Sequence, residues 1–544
     1  MFVQPLEPVA DSLALSALVA ALPLVTVLVL LGAVRMRAHR AGLTGLAVAL
    51  ATACLGYGMP AGQALSAAAQ GALFGLFPIL WIVVNALWIH RMTVRTGHFD
   101  VLRRSFSGLS ADPRVQALVI AFCFGALLEA LAGFGAPVAI SAVMLVALGF
   151  APVRAAVVAL VANTAPVAFG AMGTPVVTLA QVTGLPLDAV APVVGRQTPL
   201  LALVVPLLLV FLVDGLRGLR ETWVPALACG LAFAAVQFAA ANYVSAQLAD
   251  IGAALAGAAA LIAVPGARRP AAEPVRAAVL TGARSADLDV RDSRADVVRA
   301  YAPYALIVAV FSLAQLPPVK DLLTRATRTF DWPFLDVAGP DGTPVAGNTF
   351  ALPLLATGGT LVLLAGALSA PVLGVRAATA VRAATAVREW AATVSELRLA
   401  VLTVTAVLAL AYVMNLSGQA ATIGHFVAAA GAGLAFLSPV LGWFGVAVTG
   451  SDTSANALFG ALQVTAARQS GLSPVLLAAA NSSGGVLGKM ISPQNLAIAC
   501  AAVGLAGREG DLLRRVLPWS LGLLLVMCLI VVGQSTDMLG WMLP

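Results

Sequence analysis

Charge is what this 544-residue sequence has least of. Asp, Glu, Lys and Arg make up 10% of it, whereas 60% is hydrophobic and the mean hydropathy is +0.97. Ordinary soluble domains carry roughly 25% charged residues, so a soluble chain is excluded and a polytopic membrane protein is indicated. Alternating polar and apolar strands are also missing. The 50 glycines and 31 prolines are scattered through apolar runs instead, which suits helices and excludes a porin-like barrel. The five cysteines (Cys54, Cys123, Cys229, Cys500, Cys528) lie in apolar segments without metal-ligand spacing and imply neither a metal site nor a disulfide framework. HExxH and GxSxG are absent, and DGLRGLR at 214–220 lacks the later paired acids that a metal-dependent phospholipid synthase needs. No nucleophile–base pair argues for an enzyme, and no cofactor is called for. The four histidines (His39, His90, His98, His425) are isolated. The net charge of +7 comes from arginines in short loops without aromatic interleaving, so they read as topology signals rather than a nucleic-acid surface.

What is there is a succession of apolar runs, about 12–14 spans in an all-α arrangement. The first, 13–34, has Glu7 and Asp11 before it and Arg35, Arg37 and Arg40 after it. A signal peptide carries its positive charge on the other side, so this reads as an uncleaved span with the N-terminus outside. Runs at 42–58 and 71–90 precede an inside loop containing Arg91, Arg95, Arg103, Arg104 and Arg114. Later runs fall at 198–213, 222–243, 250–264, 301–316, 349–370, 397–414 and 516–541. The C-terminus, without nearby Lys or Arg, is placed outside. Residues 265–299, rich in Arg, Asp, Ala and Pro, read as a flexible cytoplasmic linker. VRAATAVRAATAVRE at 375–389 reads as a solvated inside loop, because a six-residue repeat advances a helix by about 600° and scatters Arg376, Arg382 and Arg388 over three faces.

Two stretches depart from lipid-like composition: 123–183, with CFGALLEALAGFGAPVAI and NTAPVAFGAMGTPV, and 449–495, with TGSDTSANALFGALQ and NSSGGVLGKMISPQN. Each follows three spans, and the arginine loops start the first set outside and the second inside. This predicts an inverted-topology repeat: 1–221 as the first copy, 222–264 as connector spans, 265–299 as the linker and 300–544 as the second copy. Gly/Pro-interrupted segments at matching places are the signature of a secondary transporter whose site lies where the broken helices meet. Non-helical backbone survives at membrane depth only where protein or a watery cavity satisfies it.

Glu129 and Asp452 are the candidate proton-coupling groups, since a charge at depth costs about 2.5 kcal/mol or more and marks a pathway. Glu129 has only apolar sequence neighbours and is expected to lack local partners. Lys489, one of very few lysines, is expected to reach either a substrate carboxylate or Asp452. The turns AGFGAP, AMGTP and NSSGG are read as half-helix N-termini able to hold an anion. Candidate substrate contacts are Gly133, Gly135, Asn163, Thr164, Ser451, Thr453, Asn456, Asn481, Ser482, Ser483, Gly484 and Gln494, with Arg196 in VGRQTP as a possible further anion contact or an interfacial anchor. Small and hydroxyl residues also serve close helix packing, and a mutual salt bridge holding the halves together is the alternative reading of the charged groups.

In combination, EALAGFGAPVAI, NTAPVAFGAMGTPV, VGRQTP, TGSDTSANALF and NSSGGVLGKMISPQNLAIACAAVG resemble the signature segments of the bacterial L-lactate permease family. The resemblance runs from the first span to the last. Ala130-Leu131 and Ser482-Ser483 depart mildly from the family pattern, and no charged motif residue is lost. It implies proton symport of L-lactate and related 2-hydroxymonocarboxylates, glycolate and D-lactate, in the inner membrane by alternating access. A sodium-coupled or exchange-type carrier for other small carboxylates would share the architecture. The partners so implied are a carboxylate, protons and membrane lipid.

Overall fold

The computed structural model describes all residues except 132, 134, 265–278, 281–291, 341, 374–379 and 544. Apolar composition at helical spacing folds as expected. Among the described residues, ten helices are long and apolar enough to span a bilayer, and a further pair, Pro152–Ala162 and Val167–Thr183, meets at 65° as a broken span. Leu187–Val244 runs 58 residues, about 87 Å at 1.5 Å per residue, far beyond a hydrocarbon core of about 30 Å. Non-helical backbone at Asp214, Gly215 and Thr222 divides it into two crossings. Buried Arg114 holds that corner, donating to Asp112 (2.8 Å), Asp214 (3.2 Å) and Glu221 (2.6 Å). The acid of DGLRGLR therefore has a structural task.

The Arg398–Ser417 helix packs on Ala38–Ala51 and Ala61–Phe74, while Gly358–Val372 packs on Trp81–Arg95. Elements from the two ends of the sequence are thus interleaved. The helix Gly125–Leu131, the hairpin of Ala136–Ala147 and Pro152–Ala162, and the broken Gly170–Thr183 segment form the buried centre with Asp452–Gln469 and Pro474–Gly488.

Several boundaries differ from the sequence reading. Thr349–Pro353 is not the start of a span but a strand antiparallel to Thr327–Asp331, and the apolar helix after it, Gly358–Val372, has 15 residues. A second pairing joins Phe2–Val3 to Val337–Ala338 in parallel. Gln4 then donates to the carbonyls of Asn415 (2.8 Å) and Leu416 (3.0 Å), and Trp332 donates to Ser66 O (3.0 Å), so these segments cap one end of the bundle. The linker 265–299 lies largely outside the described residues, but its last part, from Arg294, is already helical. The alanine-rich duplication forms a helix over Ala380–Glu396 rather than a loop, as the high helix propensity of Ala and Arg favours. Its Glu389 and Glu396 pair with Arg95 and Arg91. Arg376 lies outside the described residues.

Candidate functional site

Three helix breaks converge on one cavity. The first is at AGFGAP: Gly125–Leu131 ends, Gly133 takes φ +50°, and Gly135 at φ +84° caps Ala136–Ala147. Left-handed backbone is strained for other residues, which is why glycine stands there. The second is at AMGTP, where Ala171, Met172 and Gly173 all have positive φ. Two non-glycine residues held so mark a backbone over-determined by its surroundings. The third is at TGSD. Thr449 ends one helix, Gly450 turns at φ +76°, and Ser451 caps Asp452–Gln469 by accepting from Ser454 N. Each break exposes backbone polar groups to a shared space, as the depth rule requires.

That space is a cavity of about 150 Å³, below the roughly 300–1,000 Å³ of sites for drug-sized ligands. It suits a molecule of a few heavy atoms. Glu129, Asp452 and Lys489 are its charged lining groups. Ser451, Thr453 and Gln494 are polar neighbours, and Val167, Pro175 and Val404 supply apolar wall. Gly133 and Gly170 also line it. Ala38, the first helical residue after Arg37, and Ala400, in the first turn of the helix that starts at Arg398, also line it, so the cavity reaches the arginine-rich end of the bundle.

The charges are arranged differently from the sequence expectation. Glu129 does not lack partners. Lys489 Nζ donates to its Oε1 at 2.5 Å and Asn163 Nδ2 to its Oε2 at 3.1 Å. Both side chains of the ion pair are buried, at 3% and 9% exposure. Asp452 is held separately, its Oδ2 accepting from Ser482 Oγ (2.7 Å) and Asn456 Nδ2 (3.4 Å) while its Oδ1 has no partner. Glycines make room for both acids. A Cβ at Gly170 would stand 2.8 Å from Glu129 Oε1, and one at Gly485 would fall on Asp452 Oδ1.

Other expected contacts lie behind the cavity wall. Asn456 also donates to Pro175 O (3.1 Å), Asn481 donates to Asn456 Oδ1 (2.9 Å), and Gln463 donates to Asn481 Oδ1 (3.3 Å), so these residues form a buried seam between two helices. Ser483 is buried without a partner. NSSGG is not a helix N-terminus, because Pro474–Gly488 runs through it unbroken. Close approach is served instead: a Cβ at Gly484 would fall on Pro439 O, and one at Gly442 of the facing helix Leu434–Thr449 on Asn481 O. Thr164 Oγ1, in the turn after Pro152–Ala162, donates back to Val161 O (2.7 Å) of that helix. Arg196 is remote from the cavity, bonded to Asn242 Oδ1 (2.8 Å) and Met542 O (2.6 Å), and ties down the chain's last residues. Asp250, which the sequence reading passed over, is fully buried and accepts from Gln237 Nε2 at 2.9 Å. The available signal was an acid at the head of an apolar run with no arginine beside it.

An ion pair in a small cavity, flanked by hydroxyl and amide groups, can exchange one carboxylate partner for another. The family model described as L-lactate permease matches residues 16–536. An L-lactate permease of Bacillus subtilis (strain 168) is 42% identical over 99% of each chain, and one of Escherichia coli (strain K12) is 39% identical over 98% of each. The glycolate permease GlcA of Escherichia coli (strain K12) is 39% identical over 94% of each. With nearly the whole sequence matched, this multi-span chain belongs to the L-lactate permease family of membrane transporters.

Proposed function

We propose that the protein carries L-lactate, glycolate and related 2-hydroxymonocarboxylates across the cytoplasmic membrane together with protons. The observation that supports this best is the Glu129–Lys489 pair inside the cavity. A substrate carboxylate entering the cavity competes with Glu129 for the ammonium group. Once displaced, Glu129 would be an isolated charge at depth, and taking up a proton removes that cost. Anion and proton are then bound together, and the site keeps its net charge. In this reading Ser451, Thr453 and Gln494, which line the cavity, receive the 2-hydroxyl, and the apolar wall receives the methyl group of lactate. Asp452, with one oxygen unpartnered at the cavity edge, is the second candidate for proton binding.

The transport cycle in this reading is alternating access between two inverted copies, 1–221 and 300–544, with 222–264 connecting them. The broken segments at 133–135, 171–173 and 450–451 meet at the site, as inverted-repeat carriers require. By the positive-inside rule, Arg37 and Arg398 put the cavity mouth on the cytoplasmic side, and both termini lie outside. The capping strands at the opposite end close the outward route.

Uptake into proteoliposomes tests the reading. An inward proton gradient should concentrate lactate and glycolate, and an equal sodium gradient should not. Accumulation driven by sodium alone would replace it with a sodium-coupled carrier.

A further inference from the structure

A string of buried polar groups leaves the cavity in the direction away from its mouth. Glu129 accepts from Asn163, and two residues on, the carbonyl of Ala165 accepts from Gln237 Nε2 at 3.3 Å. The same Gln237 nitrogen donates to Asp250 Oδ1 at 2.9 Å. Gln237 and Asp250 are fully buried. Three oxygens along this string have no donor: Asn163 Oδ1, Gln237 Oε1 and Asp250 Oδ2. The shortage is all of one kind, since hydrogens are missing rather than acceptors.

Asp250 is the second residue of Ala249–Ala263, whose other end leads into the arginine-containing 265–299 segment. It therefore sits near the end opposite the cavity mouth. A carboxylate with one neutral hydrogen bond and no cation is costly at this depth, and hydrogen on Oδ2 removes both the charge and the missing donor. The charged groups that bear on it are Glu129 and Lys489. The packed neighbours also carry Cys123 and Cys229, which meet farther along the helix at Gly257, exposed Tyr243 in the turn before it, Asp188 and Arg196 at the start of the Leu187–Val244 helix, with Arg196 engaged by Asn242 and Met542, and Asp214, Arg217, Arg220 and Glu221 at that helix's distant corner.

We propose that Asp250 is a second proton-binding carboxyl of this carrier, coupled to the Glu129–Lys489 site through Asn163, Ala165 and Gln237. The step is the addition of a proton to Oδ2 from the outer aqueous side and its release on the inner side, with no other bond made or broken. Asn163 and Ala165 belong to one break in the backbone. When substrate displaces Glu129, the Asn163 contact changes, the Ala165 carbonyl moves with it, and Gln237 is redirected at Asp250. The inference rests on the proton-symport reading above.

The test is the ratio of protons to lactate entering proteoliposomes, read from a trapped pH indicator and radiolabelled lactate, for wild type and Asp250→Asn. The expected result is a lower ratio in the variant. An unchanged ratio overturns the proposal, and so does a sodium requirement present in wild type and lost in the variant, which would make the string a cation site. If Asp250→Asn does not reach the membrane, Gln237→Leu keeps the carboxyl and removes its donor. The pH midpoint of lactate uptake should then move, and an unmoved midpoint overturns the proposal. Wild type that fails to couple lactate to protons at all contradicts the symport reading itself, an outcome distinct from failure at Asp250.

Discussion

Lys489 Nζ meets Glu129 Oε1 at 2.5 Å across 360 positions of sequence. It is one of two lysines in the chain, with Lys320. Removing either partner leaves the other charge buried and uncompensated, which costs about 3–5 kcal/mol. Glu129→Gln and Lys489→Met should each lower thermal stability in detergent, with the double variant recovering part of the loss. Additive losses would show that the pair is not coupled.

Glu129→Gln also separates substrate binding from proton uptake. Its unpaired Lys489 gains a counter-ion only when lactate binds, so lactate should raise the melting temperature of this variant more than that of wild type. Exchange of labelled lactate should persist while accumulation against a gradient is lost. Normal proton-driven accumulation by Glu129→Gln would exclude the role assigned here.

Glycine vacancies position both cavity acids. Gly170→Ala places a methyl group 2.8 Å from Glu129 Oε1, and Gly485→Ala places one on Asp452 Oδ1. Uptake should fall in each, with the Gly170 variant weakening lactate affinity through the displaced ion pair. Wild-type affinity in Gly170→Ala, measured by lactate-dependent thermal shift, would contradict the geometry.

The seam behind the cavity is expected to behave as structure rather than as a binding surface. Asn456→Ala strips donors or acceptors from Asp452, Ser482, Asn481 and Pro175. Unsatisfied buried groups cost about 1–3 kcal/mol each, so folded yield and melting temperature should drop. Lactate affinity of the folded fraction should stay closer to wild type than in Gly170→Ala.

A surface contact supplies a pH signature outside the membrane. The Arg104 guanidinium, bonded to both Asp292 oxygens at 2.8 and 2.6 Å, holds that carboxyl below the usual carboxylate range. Its folded value is depressed, so its contribution is present above the unfolded value of about 3.9 and is lost as pH falls through the folded one. The stability advantage of wild type over Asp292→Asn should therefore narrow below about pH 4. An advantage that grows with acid would reverse the assignment.

The breaks at Gly133–Gly135, Ala171–Gly173 and Gly450 were legible because glycine, proline and polar residues interrupt otherwise apolar runs. That Glu129, Asp452 and Lys489 come together at one cavity was legible because charge is scarce at depth. Which acid Lys489 meets was not, since no periodicity connects positions 360 apart. NSSGG was misread for a physical reason: small residues serve both helix breaks and close helix contacts, and the approach of Pro439 to Gly484 decides for contact. Gln237 was hidden because it reaches the site through the backbone carbonyl of Ala165, for which a sequence has no symbol, and Asp250 because its partner is that same Gln237 on another helix.

The central claim is that the substrate carboxylate takes Glu129's place on Lys489. A cryo-electron microscopy structure of the wild-type protein in lactate tests it directly. The account predicts the lactate carboxylate on Lys489 Nζ and the Glu129 carboxyl moved out of hydrogen-bond reach of that nitrogen. Lactate bound elsewhere with the Glu129–Lys489 pair intact would contradict it.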